Sequence, residues 1–479
     1  MEDVETGRDE PRPGRLSDHL SLGVIARVYR RDQVDDAVTR CGRREKRERL
    51  LPARLVVYYV IALGLFFGDA YEEVMRKMVG GLKFVSAWEK AWKVPTASAL
   101  CQARKRLGEA PVRELFEQVC QPLATTATIG AFAGRWRLMA IDGLVWDVPD
   151  TAANEEAFGR SPSRTGQGGA FPQVRMAALS EVGTHAVVAA EFGPLKIGER
   201  QLAEGCLFVL EPGMLVCFDR GFYSFDFYGQ VAATGADVLF RMSKSVKLPV
   251  LARLADDSYL SAITANRTAA PATLAVAEQM AESGRAVIVR VVEYAISDRD
   301  DADQYRVATS ILDWQELISG DLADAYRHRW EIEIAFDEIE THQIGHSRVL
   351  RSKSPEMVRQ EIWGILLAHY AIRALMTEAA NDSDIDPDRL SFLGSLRVIR
   401  READGSADFP PSPHRRRRHP RHRRDPLPPA QTPEPLLPKG HQTLRALLPT
   451  HQTPMAQTDQ IRQPWNRRNP RRLTKRHWS

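Results

Sequence analysis

The stretch Tyr326–Gln343 reads YRHRWEIEIAFDEIETHQ, and its reading decides the fold. It contains no proline or glycine and follows the turn-prone pair Gly320-Asp321, so one helix is expected. At roughly 100° per residue, Tyr326, Arg329, Glu333 and Glu340 fall within about 60° of one another. A phenol, a guanidinium and two carboxylates therefore share a face. Apolar Trp330, Ile332, Ile334, Phe336 and Ile339 take much of the remaining circumference, so the helix is expected to be largely buried. Buried charges need partners or a metal. Glu333 is the residue to be explained.

Upstream, the texture is that of an α/β sheet. Arg135–Ile141 (RWRLMAI) alternates as a strand and ends at Asp142-Gly143. Gln173–Ser180 and Ala186–Phe192 read as a hairpin, Gly198–Leu210 as a helix, and Met214–Phe218 (MLVCF) as a strand ending at Asp219-Arg220-Gly221. A helix over Ser224–Ala233 and a strand over Asp237–Arg241 follow. Residues 242–312 interrupt the alternation with β-rich pieces such as Ala286–Ala295 and Tyr305–Leu312, and read as an inserted β-rich subdomain. Downstream, Ser354–Met376 is a long amphipathic helix carrying Ile362, Leu366, Tyr370 and Leu375.

In this layout Asp142 and Asp219 end neighbouring strands and Glu333 lies on the helix after the insertion. Three carboxylates converging at one point repel unless hard divalent cations such as Mg²⁺ neutralise them. Two such ions can activate a water or 3′-hydroxyl and stabilise the leaving oxygen of a phosphodiester. A single Asp-Gly is more simply a loop cap; Asp147, Asp150 and Asp226 are assigned to turns or caps on that ground.

The N-terminal part, from Leu22 to about Leu123, reads as helical, after a flexible segment at 1–19. Two basic clusters mark it: Arg40–Arg49, including Arg43 and Arg44, and Arg104, Lys105 and Arg106 at the end of TASALCQARKRL. A short capped helix with such side chains suits a DNA major groove, although a solvated surface helix has the same composition. The net charge of +4 hides an asymmetry: +4 over residues 1–130, −13 over 131–410 and +13 over 411–479. An acidic metal-binding body between polyanion-binding flanks fits that pattern.

The longest apolar run, Leu55–Phe67, is too short to cross a bilayer. Five scattered cysteines without a Cys-x-x-Cys pair argue for reduced thiols in a cytoplasm. The acidic start MEDVETGRDE lacks the apolar stretch of a secretory signal. His342-x-x-x-His346 has metal spacing, but Gly345 and nearby basic residues favour a non-metal role. From about 401 the chain turns Pro-, Arg- and His-rich and is expected to be disordered, as a DNA-contacting arm or as a tail translated out of an ancestral frame.

The runs IDGLVWDVPDTAANEEAFGR, FDRGFYSF, YRHRWEIEIAFDEIETHQ and LRSKSPEMVRQEIWGILLAHYAIRALM, in that order, resemble the insertion-sequence-4 family of bacterial transposases. The similarity spans roughly residues 20–400. It implies a ribonuclease-H-like mixed sheet at 131–400 with its insertion at about 242–312, preceded by a helical DNA-binding domain at 20–130. It implies Asp142, Asp219 and Glu333 as catalytic metal ligands for two Mg²⁺ or Mn²⁺ ions. Tyr326 and Arg329 would help to hold DNA phosphates, within a signature of Tyr, two residues, Arg, three residues, Glu, six residues, Lys, and Trp330 would pack or stack near the transposon end. Glu340 stands where that signature has lysine. Terminal inverted repeats and target DNA are the implied partners, with a homodimer pairing two ends in a bacterial, nucleoid-associated setting and no membrane. Some relatives hold a flipped base with a tryptophan of the insertion; residues 242–312 have none, and Tyr259 or Tyr294 would offer the aromatic face.

Overall fold

The computed structural model describes residues 23–47, 49–80, 94–162, 169–265, 270–295, 304–345 and 349–405. Six helices come first: α1 (Gly23–Val28), α2 (Arg31–Arg40), α3 (Ala53–Leu65), α4 (Tyr71–Gly80), α5 (Ala97–Leu107) and α6 (Ala110–Val119). Thr96 caps α5 by accepting from the Ala99 N–H at 3.3 Å. The apolar run of α3 is buried along its length, with Leu55 through Leu63 all 2 % exposed or less.

The sheet begins with β1 (Phe132–Ala133) and β2 (Trp136–Asp147), followed by α7 (Ala152–Phe158), β3 (Gln173–Glu181) and β4 (Val187–Pro194). Then come α8 (Glu199–Glu204), β5 (Met214–Phe218), α9 (Phe225–Ala233) and β6 (Asp237–Arg241). The inserted segment supplies β7 (Ala252–Arg253), β8 (Tyr259–Thr264), α10 (Leu274–Glu282), β9 (Ala286–Ala295) and β10 (Gln304–Thr309). The chain closes with α11 (Ser319–Arg327), α12 (Glu331–Asp337), α13 (Pro355–Ser383) and α14 (Phe392–Gly405).

All ten strands join one sheet in the order β4-β3-β2-β5-β6-β10-β9-β8-β7, with β1 on β2. β2 pairs antiparallel with β3 and β3 with β4, whereas β2–β5 and β5–β6 are parallel. That five-strand pattern is the ribonuclease-H-like core. β5 is buried at every residue, as a central strand covered on both faces requires. The insertion makes no sheet of its own: β10 pairs antiparallel with β6 and extends the core.

α13 lies along α3, and their closest approach is at two glycines. A Cβ on Gly64 would stand 2.4 Å from the Gly364 carbonyl oxygen, and one on Gly364 would stand 2.6 Å from the Val60 carbonyl oxygen. Only glycine admits that crossing. Buried residues of these helices and of the sheet form one continuous apolar cluster.

The expected helix over Tyr326–Gln343 is continuous in path but not in winding. α11 ends at Arg327, His328–Trp330 tighten to 3-10, α12 resumes at Glu331, and Glu338–Ile344 widen to a π-helix. The π segment follows burial: Glu338 and Gln343 face inward, as do Ile339 and Ile344, each pair five residues apart. A uniform 3.6-residue period therefore misplaces Glu340 relative to Arg329. Trp330 and Ile334, expected inside, are 51 % and 37 % exposed. β2 also outruns its expected end at Ile141, because antiparallel pairing with β3 continues to Asp147. The Pro-, Arg- and His-rich tail from 406 onward, and His346, lie outside the described residues.

Candidate active site

The register of the two central parallel strands places the aspartates. β2–β5 pairing runs from Arg137↔Met214 to Ile141↔Phe218 and then stops. Asp142 and Asp219 are the next residue on each chain, so they adjoin where the pairing of neighbours about 4.8 Å apart stops. β2 continues beside β3 while β5 turns away through Asp219, where the Phe222 N–H donates to the Asp219 carbonyl at 3.1 Å. A notch opens in the sheet where β5 has left.

α12 brings Glu333 over that notch, and Arg329 joins the two sides. Arg329 Nη1 donates to Asp142 Oδ2 at 3.0 Å and Nη2 to Glu333 Oε1 at 3.1 Å. The guanidinium is 4 % exposed, lies 5.1 Å from the Trp330 ring and 6.0 Å from the Tyr326 ring, and leaves its buried Nε–H unpartnered. Asp142 also accepts from the Gly143 N–H at 2.8 Å.

Burial pushes the Asp142 carboxyl up, as does the charge of Asp219, against the lowering effects of the Gly143 N–H and Arg329. Burial likewise raises Glu333, helped by the charges of Asp142 and Asp219 and opposed by Arg329. A single guanidinium thus undercompensates the carboxylates, and the donor set is hard oxygen. That fits a divalent cation of the Mg²⁺ class. The expected trio is not the tightest group, however. Among the described residues, three ligand atoms lie within 4.8 Å of one another at His185, Glu331 and Asp388.

That second group backs α12 from the other side. His185, held at φ 55° in the turn after β3, reaches Glu331 through Nε2 at 3.0 Å and Asp388 at 3.1 Å. Buried Glu338 accepts from Arg373 Nε at 2.9 Å and faces His369 Nε2 at 3.1 Å. Burial pushes the Glu338 carboxyl up, but Arg373, His185 and His369 outweigh it and hold it well below the usual range. The network ties both ends of α12 to the β3–β4 turn, to α13 and to the turn at Asp388.

Several expected DNA contacts need correction. Arg104 is fully buried: Nε donates to Gln360 at 2.9 Å, Nη1 to the Tyr71 hydroxyl at 3.1 Å, and Nη2 to Ser352 and the Met357 carbonyl at 3.3 Å. Its donors hold α5 to α13, so it is an internal strut. Arg106 is half-buried and donates to the Leu51 carbonyl at 2.8 Å. Lys105, Arg43 and Arg44 are exposed. Tyr326 is 3 % exposed, with its ring 6.0 Å from the Arg329 guanidinium. Trp330 is the exposed aromatic beside the carboxylates. Tyr294 stacks on Tyr305 at 5.6 Å, and the Tyr259 hydroxyl donates to Glu293 at 2.9 Å, so both are engaged within the sheet.

Glu199, at the start of α8, was not singled out from sequence. Its carboxylate lies against Gly143, where an added Cβ would fall 1.3 Å from Oε1. No motif marks it; the signal was a Gly-Glu pair opening the helix after the third core strand.

A mixed sheet whose central parallel pairing stops at two aspartates, with a glutamate on the helix after an insertion, has the layout of a DDE-type transposase. The description "Transposase DDE domain" matches residues 136–371 and "Insertion element 4 transposase N-terminal" matches residues 19–117. The chain belongs to the insertion-sequence-4 family of DDE transposases. It is 29 % identical over 389 residues to the transposase InsG for insertion sequence element IS4 of Escherichia coli K12, covering 81 % of this chain and 82 % of that protein. It is also 29 % identical over 180 residues to the putative transposase InsZ of the same organism, covering 38 % and 57 % respectively. A piggyBac transposase synaptic complex with hairpin DNA aligns over 93 % of this chain and 88 % of that one, with TM-score 0.42 and 9 % identity. Among the described residues no helix is long and apolar enough to cross a membrane.

Proposed function

We propose that this chain is the transposase of an insertion sequence, binding its terminal inverted repeats and carrying out metal-dependent strand cleavage and strand transfer at Asp142, Asp219 and Glu333. The observation that carries this is the register: pairing ends at Ile141↔Phe218, Asp142 and Asp219 adjoin, and Arg329 links Asp142 to Glu333. The three carboxylates would hold two Mg²⁺ or Mn²⁺ ions. Such ions activate the attacking oxygen and stabilise the leaving one.

The remaining work belongs to side chains. Cleavage adds water across a phosphodiester and leaves a 3′-hydroxyl; transfer exchanges one phosphodiester for another, so bonds are conserved. With cations bound at the carboxylates, the Arg329 guanidinium that now donates to Asp142 and Glu333 would be free to hold a phosphate with two parallel N–H donors. Trp330 offers an exposed face for an end base. Lys105, Arg43 and Arg44, exposed on the N-terminal helical part, supply phosphate contacts away from the chemistry. The domain limits at 19, 130 and 400 remain part of this reading. So does a homodimer pairing two ends on the bacterial nucleoid.

The test is cleavage of DNA carrying the element's own terminal repeats. Asp219→Asn should bind the ends and leave them uncut; undiminished cutting refutes the assigned site. Glu340, in the place of the family lysine, favours one second reading: a DNA-binding remnant with impaired cutting. There, wild type binds without cutting and Glu340→Lys restores it.

A further inference from the structure

We propose that Glu199 is a fourth carboxylate of the same centre, acting on its cations from the opposite face of the sheet. This rests on the reading of Asp142, Asp219 and Glu333 as metal ligands. Adjacent residues of a strand point to opposite faces. Asp142 faces α12, where Arg329 and Glu333 stand, so Gly143 faces the other layer, where α8 packs on β3. Ordinarily the sheet would separate the two layers. Here β2–β5 pairing stops at Ile141↔Phe218, so from Asp142 onward β2 has no strand on that side to separate them.

Gly143 is what lets the second layer in. The Glu199 carboxylate fills the space a side chain would take: an added Cβ would lie 1.3 Å from Oε1, 2.2 Å from Cδ and 2.6 Å from Cγ. The Gly143 N–H meanwhile donates to Asp142 Oδ1, so both carboxylates rest against one residue from its two sides. The charges of Asp142 and Asp219 disfavour the ionised Glu199 carboxylate and that of Arg175 favours it. Arg175 spends Nη1 on the Ile197 carbonyl at 2.9 Å, which fixes the turn before α8. Two like charges against one shared cation leave Glu199 short of positive partners, as Arg329 leaves Asp142 and Glu333 on the other face. A carboxylate placed this way completes the coordination of an ion held between Asp142 and Asp219, directly or through a bound water.

Two substitutions separate this role from a structural one. Glu199→Gln keeps the shape and removes the charge. Gly143→Ala keeps Glu199 but drives its carboxylate, the far end of a flexible side chain, out of its place. Mn²⁺ binding to the full-length protein without DNA, followed by electron paramagnetic resonance, is the readout. Asp142→Asn and the exposed Glu204→Gln are the controls. The expected result is a tenfold or greater loss of affinity in one binding step for Glu199→Gln and Gly143→Ala, no further loss in the double variant, and Glu204→Gln like wild type. If Asp142→Asn weakens binding while Glu199→Gln does not, the role of Glu199 is overturned alone. If wild type binds no Mn²⁺, or Asp142→Asn binds as wild type, the metal centre itself fails and Glu199 with it.

Discussion

At the scale of single residues, charges are held where their surroundings do not fully satisfy them. Burial raises the Asp142 carboxyl in the folded state. Below the unfolded carboxylate range both states are protonated and the site costs nothing. As pH rises through the raised folded value, ionisation destabilises the fold. Asp142→Asn should therefore stabilise the protein at pH 7 without divalent ions, by about 1 kcal/mol or less and with a higher Tm, and the gain should vanish toward pH 3. Thermal melts at the two pH values check this; a loss at pH 7 would mean the pair with Arg329 outweighs desolvation. Arg104 illustrates the opposite case. Four neutral groups accept from it and it has no exposed surface, so Arg104→Ala should cost about 2–4 kcal/mol in urea denaturation. Exposed Lys105→Ala should leave stability unchanged and reduce the salt slope of DNA binding by about 0.9. Both are basic letters of one cluster. Composition could not separate the strut from the surface charge, because the partners at Gln360, Ser352 and Met357 lie some 250 positions away.

At the scale of elements, the short central strands were readable, and the end of β2 and the winding of the helix were not. MLVCF and DVLFR are strands over the expected residues, and Asp219 follows directly from the first, whereas Asp142 lies inside β2, which runs on to Asp147. The central helix deceived because a 3.6-residue period was assumed throughout. Glu338 is drawn inward by Arg373 and His369, and Gln343 Nε2 donates to the Gly64 and Ile365 carbonyls at 3.1 and 2.9 Å, which together impose the wider turn. Glu338→Gln leaves Arg373 buried beside His185 without its counter-charge, and should destabilise by about 3–5 kcal/mol. The wild-type contribution is present above the unfolded carboxylate pKa and lost as pH falls, because the folded value is depressed. Denaturant melts between pH 7 and pH 3 should show the two proteins converging. Gly64→Ala, which meets the Gly364 backbone, should be at least as damaging.

At the scale of the whole molecule, one sheet carries both the core and the insertion, and the notch of the proposed site lies where the parallel strands part. The helix bearing Glu333 begins after the last inserted strand and returns across that notch, so the insertion and the chemistry are adjacent in space as well as in sequence. The order of elements exposed the α/β class, and the quoted runs exposed the family. Neither revealed that α3 and α13 meet at two glycines, nor that His185, Glu331 and Asp388 gather behind α12, since those depend on approaches between distant segments. Asp142, Asp219 and Glu333 are proposed to form one metal-dependent strand-cleaving centre. Its most direct test is single-turnover cutting of terminal-repeat DNA in Mg²⁺ by wild type and by Asp142→Asn, Asp219→Asn and Glu333→Gln, with end binding measured alongside. Cutting by wild type should require the cation, and each variant should lose about a thousandfold or more of it with binding retained. Metal-independent cutting, or a variant of any of the three that cuts like wild type, would contradict the proposal.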